Sequence, residues 1–146
     1  MKKIKGIVLA ALSLALMVGI FAAAKPAQAA TKVPSSLRHS WYMTLPSIKD
    51  PSFIKFTSRS IDVGDKSYHN KISGSNLQVI KKSGGWYEIG YKGITNPTYR
   101  TKKIKIGNTK RTVLLKKYSK NSHYADVFLN GKKVKLPLQY SSYFLG

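Results

Sequence analysis

The chain contains no cysteine. That excludes a disulfide framework, a thiolate nucleophile, a cysteine-ligated metal and a lipid anchor on cysteine. Acidic residues are nearly as scarce, with only Asp50, Asp62, Asp65, Glu88 and Asp126 in 146 residues. A glycosidase needs two carboxyls facing a sugar across a cleft, and so few acids leave little choice. The one close pair, Asp62 and Asp65, is spaced to cap a turn, with each oxygen accepting a nearby backbone N–H. The three histidines, His39, His69 and His123, lie far apart, without the helical pairing that gathers a metal. No Gly-x-Ser-x-Gly elbow is present. Helical periodicity is missing too: beyond residue 29, no window has three-and-four apolar spacing with caps. These absences lead us to expect no enzymatic activity, no metal and no cofactor.

Basic charge is abundant. The chain has 26 Lys and Arg against five acids, for a formal net charge of +21. Such an excess repels itself in the folded state and draws the protein towards anionic polymers and surfaces. Four of the lysines belong to the first 29 residues, which read as an export signal. Met1-Lys2-Lys3-Ile4-Lys5 is a basic start, Gly6 to Ala24 an apolar run, and Ala27-Gln28-Ala29 a small-residue cleavage site. The apolar run is nearly long enough to be a retained anchor, but the cleavage site after it favours removal. No stable membrane anchor is then expected. Residues 30–36 read as a loosely held polar leader. Residues 37–146 have the size of one domain, and it must fold on its core alone.

The clearest structural signal runs from Leu77 to Tyr91, two apolar alternations around Ser83-Gly84-Gly85. A three-residue loop pairs Val79 with Ile89, Leu77 with Tyr91 and Lys81 with Tyr87. It sends Gln78, Lys82, Trp86 and Glu88 to the opposite face, so each face is chemically sorted. Gly107-Asn108 suits a type II′ turn between Tyr99–Ile106 and Thr109–Tyr118. Asn130-Gly131 predicts a further hairpin, with Val127 opposite Val134 and Asp126 opposite Lys135. Strands are also expected over Leu37–Tyr42, Ser52–Thr57, Ile61–Asp65 (running into a turn) and Lys66–Ser73. Short strands at regular turn spacing predict an all-β fold, a small antiparallel barrel of about eight strands. Closure of such a sheet removes its exposed edges.

Two stretches resemble known groups. Val33-Pro34-Ser35-Ser36-Leu37-Arg38-His39-Ser40-Trp41-Tyr42, behind an export signal, resembles the opening of small secreted proteins of lactobacilli, which also carry a hairpin like Gly85-Trp86-Tyr87. That resemblance implies an extracellular or loosely wall-associated location. Trp41 also looks like the first-strand tryptophan of lipocalins, with His39 where their glycine stands. The likeness implies a lipocalin-like barrel whose floor Trp41 and Arg38 seal. It further implies a binder of a small apolar ligand, or a secreted inhibitor of a partner protein. Leu77 to Gly93 is similar to the middle of bacterial Src-homology-3-like wall-binding domains.

The most suggestive chemistry is the basic hairpin. Its register puts Ile104, Ile106, Thr109, Val113 and Leu115 on one face, with Arg111 the exception, and Lys103, Lys105, Lys110 and Lys116 on the other, with Lys105 opposite Lys110. Like charges facing each other on a sheet are destabilising, and a bound anion relieves them. The plainer role of such lysines is to solubilise an outer face and deter edge pairing. With Lys81, Lys82, Lys132 and Lys133 added, the set is expected to form one polyanion-binding outer side. For an exported protein the anion is an envelope polymer such as teichoic acid rather than a specific nucleic acid. Tyrosines beside cations, as at Tyr99-Arg100 and Lys117-Tyr118, could stack on bases or sugars, though packing is the commoner role.

Overall fold

The computed structural model describes residues 32–146, and the expected export signal at 1–29 lies outside them. Ten antiparallel strands form one sheet: β1 (Ser40–Met43), β2 (Ser52–Thr57), β3 (Ser60–Gly64), β4 (His69–Ser73), β5 (Leu77–Lys81), β6 (Tyr87–Tyr91), β7 (Thr98–Ile106), β8 (Thr109–Lys117), β9 (Tyr124–Asn130) and β10 (Ser142–Phe144). Their order is β4-β3-β2-β1-β9-β8-β7-β6-β5, with β10 also paired to β9. Among the described residues no helix is long and apolar enough to cross a membrane.

The ring closes through an unusual joint. Every neighbouring pair from β4 round to β5 is antiparallel, and the number of steps is even, so β4 and β5 run the same way along the sheet. Only the 3-10 turn Gly74–Asn76 separates them. A parallel strand alongside would need a crossover of a dozen residues or more, so three residues can only carry the chain onward. β4 and β5 are therefore two halves of one kinked strand, the first paired with β3 and the second with β6. Counted that way, the nearly closed nine-strand ring is an eight-stranded up-and-down barrel. At the seam the Lys92 amide donates to the Asn76 carbonyl at 2.9 Å. The Asn70 amide group and the Tyr91 hydroxyl meet there at 3.0 Å.

Two of the three expected hairpins form in register. Val79 faces Ile89, Leu77 faces Tyr91 and Lys81 faces Tyr87 across Ser83–Gly85, where Gly84 takes a left-handed φ of 68°. Ile106 faces Thr109 and Lys105 faces Lys110. Gly107 has φ 58° while Asn108 is not left-handed, which is the type II′ pattern. The expected hairpin at Asn130-Gly131 does not form. Both edges of β9 are already occupied, one by β8 and the other by β1 and β10 in succession. Asp126 thus faces Lys116 and Ser142, and Lys132 to Leu136 leaves the ladder to run beside β1, where the Leu136 amide donates to the Thr44 carbonyl at 2.8 Å.

That departure creates a second core. Inside the barrel lie Trp41, Ile54, Phe56, Ile61, Ile72, Val79, Ile89, Tyr99, Leu114 and Phe128. On the outside of β8 and β9, the segment after residue 131 lays Leu136, Val134, Tyr140 and Tyr143 over Val113, Leu115, Val127 and Leu129. The run Val113-Leu114-Leu115 lacks alternation because this part of the sheet is covered on both faces.

The loop between β6 and β7 depends on a glycine for space. Asn96 accepts from the Tyr91 amide at 2.8 Å and donates to the Tyr91 and Ile94 carbonyls at 2.8 and 2.9 Å. A Cβ on Gly90 would lie 2.0 Å from the Asn96 side-chain oxygen. Gly90→Ala is therefore expected to destabilise the fold by about 2 to 3 kcal/mol, through overpacking and lost buried hydrogen bonds. Chemical denaturation reads this as a lower midpoint with unchanged slope.

Candidate functional site

The chain entering β1 builds the barrel floor. Residues 33 to 36, expected as loose leader, are instead part of the fold: Val33 is 0% exposed and its amide donates to the Ser58 carbonyl at 2.9 Å. The expected first strand starts late, at Ser40, because Ser35–Leu37 turns as a 3-10 helix and drops Leu37 into the interior. Trp41 is buried beside it, its indole N–H donating to the Leu37 carbonyl at 2.9 Å and its ring edge-on to His39. Arg38 is exposed, and its Nε donates back to the Val33 carbonyl at 2.8 Å.

The lysines do not share one outer side, which corrects the sequence expectation. Side chains alternate along β7 and β8, and Tyr99 and Leu114 point into the barrel. Lys103, Lys105, Lys110 and Lys116 have the same parity, so they lie on the concave side of the sheet. The apolar partners Val113 and Leu115 are the ones facing outwards. With apolar residues on both faces of β8, hairpin parity alone could not say which face would turn in.

The barrel separates these lysines further. β7 and β8 outrun their neighbours, since β6 pairs only with Thr98 and Tyr99 and β9 only with Val113 to Lys116. The Lys103, Lys105 and Lys110 end is thus a two-stranded ribbon projecting past the floor. Lys81 ends β5 at the same end of the barrel, and Arg38 and the β2–β3 turn residue Arg59 join it. No acid belongs to this end. Asp50, Asp65 and Asp126 sit at the opposite mouth, while Asp62 and Glu88 are on the outer wall, paired with His69 at 2.8 Å and Lys82 at 3.0 Å. Lys116 is also at the mouth and Lys82 on the wall. Lys132 and Lys133 are in the exposed stretch after β9. The floor-end group thus keeps Lys81, Lys103, Lys105 and Lys110 from the expected set and gains Arg38 and Arg59, two arginines that only the three-dimensional arrangement brings in.

The mouth holds a recess of about 390 Å³. Met43, Ile54, Val63 and Phe128 form its base, and Lys116, Asp126, Asp65 and Asn70 line it above. Below it Trp41, Phe56, Tyr99 and Leu114 are buried together in the barrel core. Asp65 caps its own turn, accepting from Ser67 Oγ at 2.6 Å, from the Ser67 amide at 2.8 Å and from the Tyr68 amide at 3.0 Å. These bonds, with that of the Ser67 hydroxyl largest, hold its carboxyl below the usual range. Among the described residues no group of three or more metal-ligating side chains converges.

Titration at the mouth gives a checkable pH signature. The Tyr118 hydroxyl donates to Asp126 at 3.0 Å. Burial first, then that bond and the Asp126 charge, raise its pKa to about 12. Burial raises Tyr99 further still. The fold holds both in the protonated form, so their stabilisation is complete below the ordinary pKa of 10 and is lost above it, that of Tyr118 as pH rises through 12 and that of Tyr99 later still. Lys116 acts in the opposite sense: burial lowers its pKa, so that contribution rises with pH up to its ordinary 10.5. Tyr118→Phe is expected to make the fall in stability above pH 10 shallower, as read by denaturation at stepped pH.

Comparison with protein-family models, with curated proteins and with solved structures finds no match for this chain.

Proposed function

We propose that this protein is exported and acts by binding, not catalysis, holding anionic polymers of a cell envelope on the cations at its barrel floor. The observation carrying this reading is the acid-free floor end, where Arg38, Arg59, Lys81, Lys103, Lys105 and Lys110 gather and Lys105 faces Lys110 across the ribbon. Facing like charges cost stability that an anion would restore. The basic and apolar start of the chain and its cleavage motif support export, and the likeness of its opening to small secreted proteins of lactobacilli supports a place at a Gram-positive surface. A flexible polyol phosphate such as teichoic acid suits a site made mainly of exposed charge. Counterion release then makes affinity fall steeply with salt. The test is retention on teichoic-acid-bearing walls across a salt gradient. Release by molar salt supports the reading, and binding that ignores salt, or is absent, removes it.

A second reading rests on the mouth recess. Its apolar base and charged lining suit a small amphiphile, not the wholly apolar ligand expected from the lipocalin likeness. Saturable binding of a fluorescent fatty-acid analogue, lost on filling the recess by Val63→Trp, would favour it. The packed lower barrel limits any such ligand to the mouth.

A further inference from the structure

On the outside of the barrel lies a recess of about 670 Å³ between three loops. That is within the roughly 300–1,000 Å³ of small-molecule sites. Its lining includes Lys82, Trp86, Glu88, Lys117, Lys120 and Asn121. We propose that this groove is a binding site for an acidic sugar, a saccharide ring bearing one carboxylate or phosphate.

The walls are held in advance of any ligand. Arg100 donates to the Gly84 carbonyl at 3.0 Å, fixing the β5–β6 turn. Asn96 fixes the β6–β7 loop through its three bonds, and its own amide donates to Glu88 at 3.2 Å. The Ser119 amide donates to Ser122 Oγ at 3.2 Å, fixing the β8–β9 loop. Loops are ordinarily the mobile parts of a sheet protein, and ordering them beforehand removes an entropic cost of binding.

The chemistry of the lining selects the ligand. Glu88 neutralises Lys82 at 3.0 Å, which leaves Lys117 and Lys120 as the cations available to an acid group. Lys117 Nζ is positioned 4.6 Å from the Trp86 ring, and Arg100 lies at the same distance. Between the cations stand the neutral hydrogen-bonding groups of Ser83, Thr95, Ser119 and Asn121. Inorganic phosphate could accept from these groups but offers few donors to their oxygens or to the Glu88 carboxylate. A ring with several hydroxyls gives Glu88 donors to accept from and the serines partners. At the base, the buried Thr98 hydroxyl has no hydrogen-bond partner among the described residues.

None of Arg38, Arg59, Lys81, Lys103, Lys105 and Lys110 lines this site, so it stands or falls independently of the polyanion reading. The full mature chain is titrated by NMR with a uronic-acid disaccharide and, separately, a hexose 6-phosphate. The neutral parent sugars and inorganic phosphate serve as controls. Saturable shifts of the Trp86 indole and the Lys117–Asn121 amides are expected with at least one acidic sugar, and which probe binds tells carboxylate from phosphate. Lys117→Met with Lys120→Met should weaken binding at least tenfold, and so should the exposed Asn121→Leu, which leaves the cations intact. Lys103→Glu, Lys105→Glu and Lys110→Glu together should leave it unchanged. Equal binding of neutral sugars or of inorganic phosphate, shifts elsewhere, or no binding of either acidic sugar would overturn the proposal.

Discussion

Trp41→Ala is expected to destabilise the protein by about 3 to 5 kcal/mol, the usual cost of truncating a buried aromatic. In a domain of this size that lowers the melting temperature by roughly 10 to 20 °C. Trp41 is 1% exposed among Ile54, Phe56 and Phe128. Its indole N–H is the partner of the Leu37 carbonyl at 2.9 Å, so truncation opens a cavity and unpairs a buried acceptor together. Leu37 and Val33 then lose the surface that holds the floor turn in place. Trp41→Phe keeps most of the volume and should cost about 1 to 2 kcal/mol. Arg38→Ala breaks one bond on an exposed side chain and should cost about 1 kcal/mol. If the alanine variants at 41 and 38 were equally mild, the floor would not be the structural anchor described.

The second large effect is on binding. Reversing Lys103, Lys105 and Lys110 to Glu is expected to weaken association with an anionic polymer at least a hundredfold at low salt. It should also reduce the steepness of the log affinity against log salt plot by about 2 to 3, given a slope near 0.7 to 0.9 per phosphate contact. All three side chains are exposed on a ribbon beyond the barrel, so the fold should survive. Net charge alone could weaken binding, and a matched control separates the two causes. Lys49, Lys66 and Lys92 are exposed in loops at the mouth, and their reversal changes the total charge identically. That triple variant should keep most of the affinity. Equal losses in the two variants would mean that the protein binds by overall charge, with no floor-end site.

How far the sequence foretold this arrangement depended on whether local chemistry settled the question. The Ser83–Gly85 hairpin was readable because sorting its side chains by face left one register, and that register is present. Gly107-Asn108 was readable because glycine supplies the one left-handed position a type II′ turn needs. Asn130-Gly131 has the stronger hairpin signal, yet the free edge of β9 was claimed by β1, which closes the barrel at Trp41 and Tyr42. A non-local pairing that removes two sheet edges outweighed a local turn preference. The same competition decided the lysine face. Val113-Leu114-Leu115 is apolar on both sides, and only the path of the C-terminal segment, which covers Val113 and Leu115, turned Lys103, Lys105 and Lys110 to the concave side. The floor-end cations were only partly legible, because Arg38 and Arg59 reach that end through turns far from the ribbon in sequence.

The most direct measurement is a chemical-shift map of the labelled protein titrated with poly(glycerol phosphate). Floor-end binding predicts shifts confined to the β7–β8 tip, Arg38, Arg59 and Lys81, fading as salt is raised. Shifts spread evenly over the surface, centred on the mouth, or absent at low salt would contradict it.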